Sequence, residues 1–204
     1  MTEHTSQHAY VTWTKQRLDE MDAALASFES KASQVKADAK AKAAQMNADM
    51  KKRRAEFEAE AKAHLAAGEA ALMASKTHLE KQWTGFEAQV KAYVETVGKD
   101  VDQKRATFAQ IGAAQEKAWG EAAEKLQSTA AKLAAEHRAK ADTAIARLRA
   151  DATDAKAHIE KVKQAGDESW STLSAALQTS RKKFDEASHS AWEAIKNSAP
   201  TIKK

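Results

Sequence analysis

His4 and His8 stand four residues apart, the first side chains whose type and spacing could do chemistry. On a helix, residues at i and i+4 share a face, so two imidazoles there can offer two nitrogens to a divalent ion. Glu3 is the only third donor close by, which leaves the pair short of a closed site, and no metal ligand is assigned. The other five histidines, His64, His78, His137, His158 and His189, have no clustered partners and read as ordinary polar helix positions. The densest basic run is Lys51-Lys52-Arg53-Arg54, with Arg181-Lys182-Lys183 a second. Four successive helical residues point around most of the circumference, so only some of them can face one phosphate backbone. Glu56, Glu58 and Glu60 follow at once. These runs therefore read as solvated faces, and nucleic acid is not an expected partner.

The five tryptophans, Trp13, Trp83, Trp119, Trp170 and Trp192, have two readings. They fit the apolar seam of packed helices. They also fit interfacial insertion, in which a lysine-flanked amphipathic helix lies on a lipid or polymer surface, as in phasins that coat polyester granules. Nucleotide-binding and catalytic patterns are absent: no P-loop, no glycine-rich fingerprint, no serine nucleophile placed with a base. With no cysteine in the chain, thiolate chemistry and disulfides are excluded, which suits a reducing compartment. No catalytic, cofactor-binding or metal-binding residue is expected, and no cofactor.

Composition sets what can hold such residues in place. Of 204 residues, 30% are charged and 43% apolar, but alanine makes up more than half of the apolar share. Large side chains contribute ~1.5–3 kcal/mol each when fully buried, against ~1–2 kcal/mol per residue of backbone ordering. A thick globular core is not affordable on those terms. Strong helix formers holding a narrow seam are. The formal charge of +4 is spread among interleaved signs, with favourable i,i+4 pairs such as Asp38/Lys42, Glu58/Lys62, Glu87/Lys91 and Glu121/Lys125. No secretion leader and no membrane-spanning run are expected.

An apolar stripe at helical spacing begins at Tyr10 and runs through Trp13, Leu18, Met21, Leu25 and Phe28, then Val35, Met46, Met50 and Phe57. Around residues 36–45 it thins to alanine without a glycine or proline to break it. It resumes at Leu65, Leu72, Leu79, Trp83 and Phe86 and reaches Val97. Gly98 can take the left-handed conformation that ends a helix, and Asp100 can cap the next one with Gln103 at the capping-box position. The stripe then restarts at Val101 and continues through Phe108, Trp119, Leu126 and Ile145 to Trp192 and Ile195. Ser198-Ala199-Pro200 closes the last helix.

Two symmetries organise this pattern. At an offset of 98 residues Tyr10 meets Phe108, Ala67-Gly68-Glu69 meets Ala165-Gly166-Asp167, Leu79 meets Leu177, and Phe86 meets Phe184. The chain thus reads as two units, 1–98 and 99–204, that form one elongated helical domain by duplication. The second symmetry is a mirror about residue 99, which sets Met50 opposite Leu148, Phe28 opposite Trp170 and Met21 opposite Leu177. It predicts a long antiparallel coiled-coil hairpin with arms of about 88 residues, ~130 Å each. The rival is a helical bundle that uses Gly68 and Gly166 as turns and gives four helices, or spectrin-like three-helix units if the chain also breaks near residue 40. The hairpin is the preferred expectation.

Val162-Lys163-Gln164-Ala165-Gly166-Asp167-Glu168-Ser169-Trp170, continuing through Phe184 to Trp192-Glu193-Ala194-Ile195, resembles the C-terminal half of small bacterial coiled-coil proteins associated with stress. Tyr10 to Ala43, with Leu18-Asp19-Glu20-Met21, resembles their N-terminal half, and Leu72 departs from the family by standing where it would place Trp. Those proteins are about half this length, so the resemblance implies two such units in tandem. It implies a cytoplasmic coiled coil and carries no active-site residues. The expectation is an all-α, elongated, non-enzymatic structural or stress-associated protein. Its partner would be another protein or a second copy, met through the helical seam. Coating of a polymer granule or lipid surface is the alternative, and weak electrostatic binding of nucleic acid a further one.

Overall fold

The computed structural model describes residues 2–67, 69–96, 101–133, 135–164 and 169–198, the side chains of 2–6, 69–74, 101, 136 and 137 excepted. Among the described residues the chain forms six long helices and no strands. They are α1 (Thr2–Ser30), α2 (Lys40–Ala67), α3 (Glu69–Thr96), α4 (Val101–Ala130), α5 (Ala135–Gln164) and α6 (Trp170–Ser198), with a short 3-10 turn at Ala32–Gln34. The all-α class is what the sequence predicts. Gly68, Gly98, Asp100, Gly166 and Pro200, the residues assigned to turns and helix ends, lie outside the described residues.

The long hairpin is not formed, nor are the four helices of the rival; the chain adopts the rival's three-helix form, with a break before residue 40. The hairpin's arms are interrupted where no glycine or proline stands. After α1 the chain passes through Lys31 (φ −107°, ψ 3°) to an extended Val35 (φ −66°, ψ 130°). After α4 the residues Ala131 to Leu133 turn, and the Arg138 guanidinium donates to the carbonyls of Ala131 (2.8 Å) and Leu133 (3.3 Å). The helix-end carbonyls of Gln127, Thr129 and Ala130 accept from the amides of Ala131, Lys132 and Leu133, so Arg138 serves the acceptors of the turn itself.

Helix α6 buries too wide a face for a two-helix seam, whereas α2 buries only Ala43, Met50, Phe57 and Ala61. In α6 the buried positions are Trp170, Leu173, Ala176, Leu177, Ser180, Arg181, Phe184, Ala187, Ser188, Ala191, Trp192 and Ile195, ending at Ser198. Repeats of three, three and one describe a stripe broader than an a/d seam, which needs at least two neighbours to cover it. Met50 and Leu148, facing residues of the hairpin, sit in two different apolar clusters.

Each helix packs antiparallel on its covalent neighbours in the sets α1–α2–α3 and α4–α5–α6. Asp22 pairs with Arg54 and Glu29 with Lys51 between α1 and α2, and Gln127 meets Arg149 at the matching place between α4 and α5. The sets join chiefly through α1 on α4, whose antiparallel register is fixed by Lys15–Glu121, Glu20–Gln115 and Ser27–Thr107. The outermost part of the mirror survives: α1 lies antiparallel to α6, about one helical turn from the predicted pairing. The offset of 98 residues is carried by the interior. Tyr10/Phe108, Trp13/Ile111, Met21/Trp119, Phe28/Leu126, Met50/Leu148, Phe57/Ala155, Leu79/Leu177, Phe86/Phe184 and Val94/Trp192 are buried on both sides.

Candidate functional site

Where α1, α3, α4 and α6 meet, five charged side chains and a glutamine enter the interior. Arg17 and Glu20 come from α1, where Trp13, Arg17, Glu20 and Ala24 continue the apolar spacing; Glu87 comes from α3, and Gln115 from α4. Arg181 and Asp185 come from α6. Glu20 is fully buried and Arg181 nearly so. Arg181 donates from Nε to Glu20 Oε1 (3.2 Å), from Nη2 to Glu20 Oε2 (2.6 Å) and from Nη1 to Glu87 Oε1 (2.6 Å). Gln115 Nε2 donates to Glu20 Oε2 (3.1 Å) and to the Leu177 carbonyl (3.0 Å), linking the cluster to the backbone of α6. Arg17 grips Asp185 with two parallel bonds, Nη1–Oδ1 at 3.0 Å and Nη2–Oδ2 at 2.6 Å.

Burial alone would lower the Arg181 pKa, but the attraction of Glu20 and its hydrogen bonds, reinforced by Glu87, raise it instead. Its guanidinium lies 4.5 Å from the Trp83 ring centroid, and that of Arg17 lies 5.7 Å from the same ring. Two guanidiniums therefore face three carboxylates around one indole. Beside them is a cavity of about 240 Å³ between α3 and α6, walled by Trp83, Phe86, Val90, Ile111, Trp170 and Leu177. The arrangement can fix four helices in one register, because a misaligned partner would leave a charge buried and unpaired.

The residues singled out from sequence are placed elsewhere. Lys51 bridges to Glu29, Lys52 to Glu56, Arg53 Nε to Gln89 Oε1 (3.0 Å), and Arg54 to Asp22 and Glu58. That basic run is spent on contacts within and between α1, α2 and α3. In the second run Arg181 is interior and Lys182 reaches Glu186. His64 and His78 converge on Glu60 Oε1 at 3.6 and 3.3 Å. His8 stacks on Trp192 with ring centroids 5.0 Å apart. The side chains of His4 and His137 lie outside the described residues. Among the described residues no three His, Asp or Glu side chains are grouped so as to hold a metal ion. The tryptophans are interior residues, and Leu65, at 36% relative exposure, is the large apolar side chain that stands out to solvent among the described residues. No described helix is long and apolar enough to cross a membrane.

Sequence reasoning missed the Arg17–Glu20–Arg181 cluster, although a signal was present. Arg17 and Glu20 fall in phase with Trp13 and Ala24, and Arg181 falls in phase with Leu177 and Phe184. A charge at a stripe position is a sign of an interior partner. No family model, no curated protein and no solved structure matches the chain.

Proposed function

We propose that this protein is a non-enzymatic, stress-associated structural element of the bacterial cytoplasm. It would arise from a tandem duplication of a three-helix unit and act through association with other proteins or with further copies of itself. One observation carries the non-enzymatic reading. The strongest cluster of titratable groups engages its own members across four helices, with Glu20 held by Arg181 and Gln115 together and Asp185 by both ends of the Arg17 fork. A general acid or base needs a group free to exchange its proton with a substrate. The duplication is supported by the pairs of buried positions 98 residues apart, and the cytoplasmic setting by a cysteine-free chain.

A complementation assay tests this reading. A strain lacking the protein is challenged by heat, osmotic shock or peroxide and rescued with the wild type or with Glu20→Leu/Arg181→Leu. The structural reading expects a survival defect that both versions repair. A variant that folds but fails to rescue would assign chemistry to the cluster, and a strain with no defect would remove the stress association. Surface coating requires the bundle to open, since its tryptophans face inward. Flotation with lipid vesicles or polyester granules decides that alternative, the structural reading expecting the protein to stay in the dense fractions.

A further inference from the structure

The 98-residue offset pairs Trp83 with Arg181, Glu87 with Asp185, and Gln115 with Arg17. Repeat-related contacts should then come in twos, and around this cluster they do not. On one side α1 packs along α6, and both carboxylate oxygens of Asp185 are taken by Arg17. The mate of that contact would set α4 along α3. Among the described residues α3 and α4 make no comparable contact, and the cavity of about 240 Å³ stands beside α3, with Ile111 of α4 on its wall. Here the acid is Glu87, of which Arg181 engages Oε1 and leaves Oε2 as an acceptor not claimed by that guanidinium. Glu87 lines the cavity.

From this asymmetry we infer that the cavity between α3 and α6 binds a small organic monocation with an apolar body. Its ammonium group would sit on Glu87 Oε2 and its body against Phe86, Val90 and Trp170.

Among the charged residues that line the cavity, Glu20 is taken by Arg181, and Glu87 gives Arg181 only Oε1, so the acceptor left facing the cavity is a carboxylate oxygen, which suits a cation. Lys91 on the rim is turned toward Glu95 at 3.8 Å. The walls favour an apolar body with an aromatic affinity for cations. The volume lies below the ~300–1,000 Å³ of drug-sized sites, which restricts the occupant to a small molecule. This inference is independent of the structural reading above, since binding needs no catalytic group.

Phenethylamine, 2-phenylethanol and 3-phenylpropionate share a body and differ in charge, and their binding to the full chain is read by isothermal titration calorimetry. Saturable binding of phenethylamine is expected, with the alcohol at least tenfold weaker and the carboxylate without measurable heat. Glu87→Gln keeps an acceptor for Arg181 and should weaken the amine at least tenfold while leaving the alcohol unchanged. Ser174→Trp, placed to plug the cavity from α6, should abolish binding of both, with helicity retained by circular dichroism. Equal affinity for the three probes, no saturable binding of the amine, or a Glu87→Gln variant that binds the amine as tightly as the wild type would overturn the assignment.

Discussion

Trp83 of α3 and Arg181 of α6 occupy matching places in the two sets of three helices, and they do opposite work. Trp83 offers an aromatic face, and Arg181 lies on it and reaches two carboxylates contributed by α1 and α3. Glu20 of α1 is matched in α4 by Ala118, so the acid that Arg181 needs is present once. Around Arg181 the first set supplies the aromatic face and both acids, while in the neighbouring pair the first set supplies the cation Arg17 and the second the acid Asp185. A pair of identical units would place like beside like along their common axis. Divergence at Arg17/Gln115, Glu20/Ala118 and Trp83/Arg181 has instead made the sets complementary, which favours pairing of a first set with a second set over pairing of two copies of either.

The largest effect is expected from Arg181→Met. It strands the Glu20 carboxylate in the interior with Gln115 as its remaining donor, and should cost about 3–5 kcal/mol in urea unfolding. Adding Glu20→Met removes the stranded charge and should recover most of that loss, as replacement of buried ion pairs by apolar groups often does. A loss under about 1 kcal/mol for Arg181→Met would mean that the two sets are not held by this cluster.

Met50 and Leu148 are a matched pair in the repeat, each fully buried, in separate apolar clusters. Changing either to Ala should cost about 2–5 kcal/mol. The two losses should add within about 0.3–0.5 kcal/mol, as they do for sites without shared neighbours. A coupling energy well above that in a double-mutant cycle would mean that the residues touch. That is the arrangement of the long hairpin, and it would break the bundle.

The smallest effect sharpens the comparison at the surface. Lys15 of α1 meets Glu121 of α4 at 2.6 Å, while the matched positions are Ala113 and Ala23, so the contact occurs once. The hydrogen bond from Lys15 is the main reason the Glu121 pKa is lowered. An unfolded Glu titrates at about 4.3; with the folded pKa below that, the contribution is complete above the unfolded value and is lost as pH falls through the lowered folded one. Lys15→Met should therefore flatten the fall in melting temperature on acidification from about pH 5 to pH 3. Both groups are partly exposed, so the difference should stay within about 1 kcal/mol and shrink in high salt. An unchanged acid limb would show that the pair adds nothing to the joint between the sets.

Much of this architecture is legible in the chain. The helices follow from residue type and from apolar spacing of three and four. The 98-residue offset is readable because large residues recur in step, and burial in the structure keeps that step from Tyr10/Phe108 to Val94/Trp192. The break between Ser30 and Lys40 was legible only as a condition of the bundle, near residue 40, and the end at Ala130 was not legible. Both breaks occur in ordinary residues, with Ser30 Oγ donating to the Ser27 carbonyl (2.8 Å) and Arg138 supplying bonds from seven residues beyond Ala131. The interior share of alanine is not legible from spacing alone. In the thin stretch at residues 36–45 only Ala43 is interior, but outside it Ala24, Ala61, Ala122, Ala141 and Ala191 are buried as well.

What the sequence determined by itself is therefore local. Helix hydrogen bonds run from one residue to the fourth before it, and stripe phase is counted along a single chain, so both can be read without knowing the fold. Which stripes meet was decided by tertiary structure. A stripe matches any other stripe of the same period, and a mirror about residue 99 satisfies that condition as well as the bundle does. The choice rests on the width of the face that α6 buries and on whether Glu20 finds Arg181 across 161 positions of chain. A buried charge is acceptable only opposite its partner, and that partner is brought by the fold and not by the neighbouring sequence.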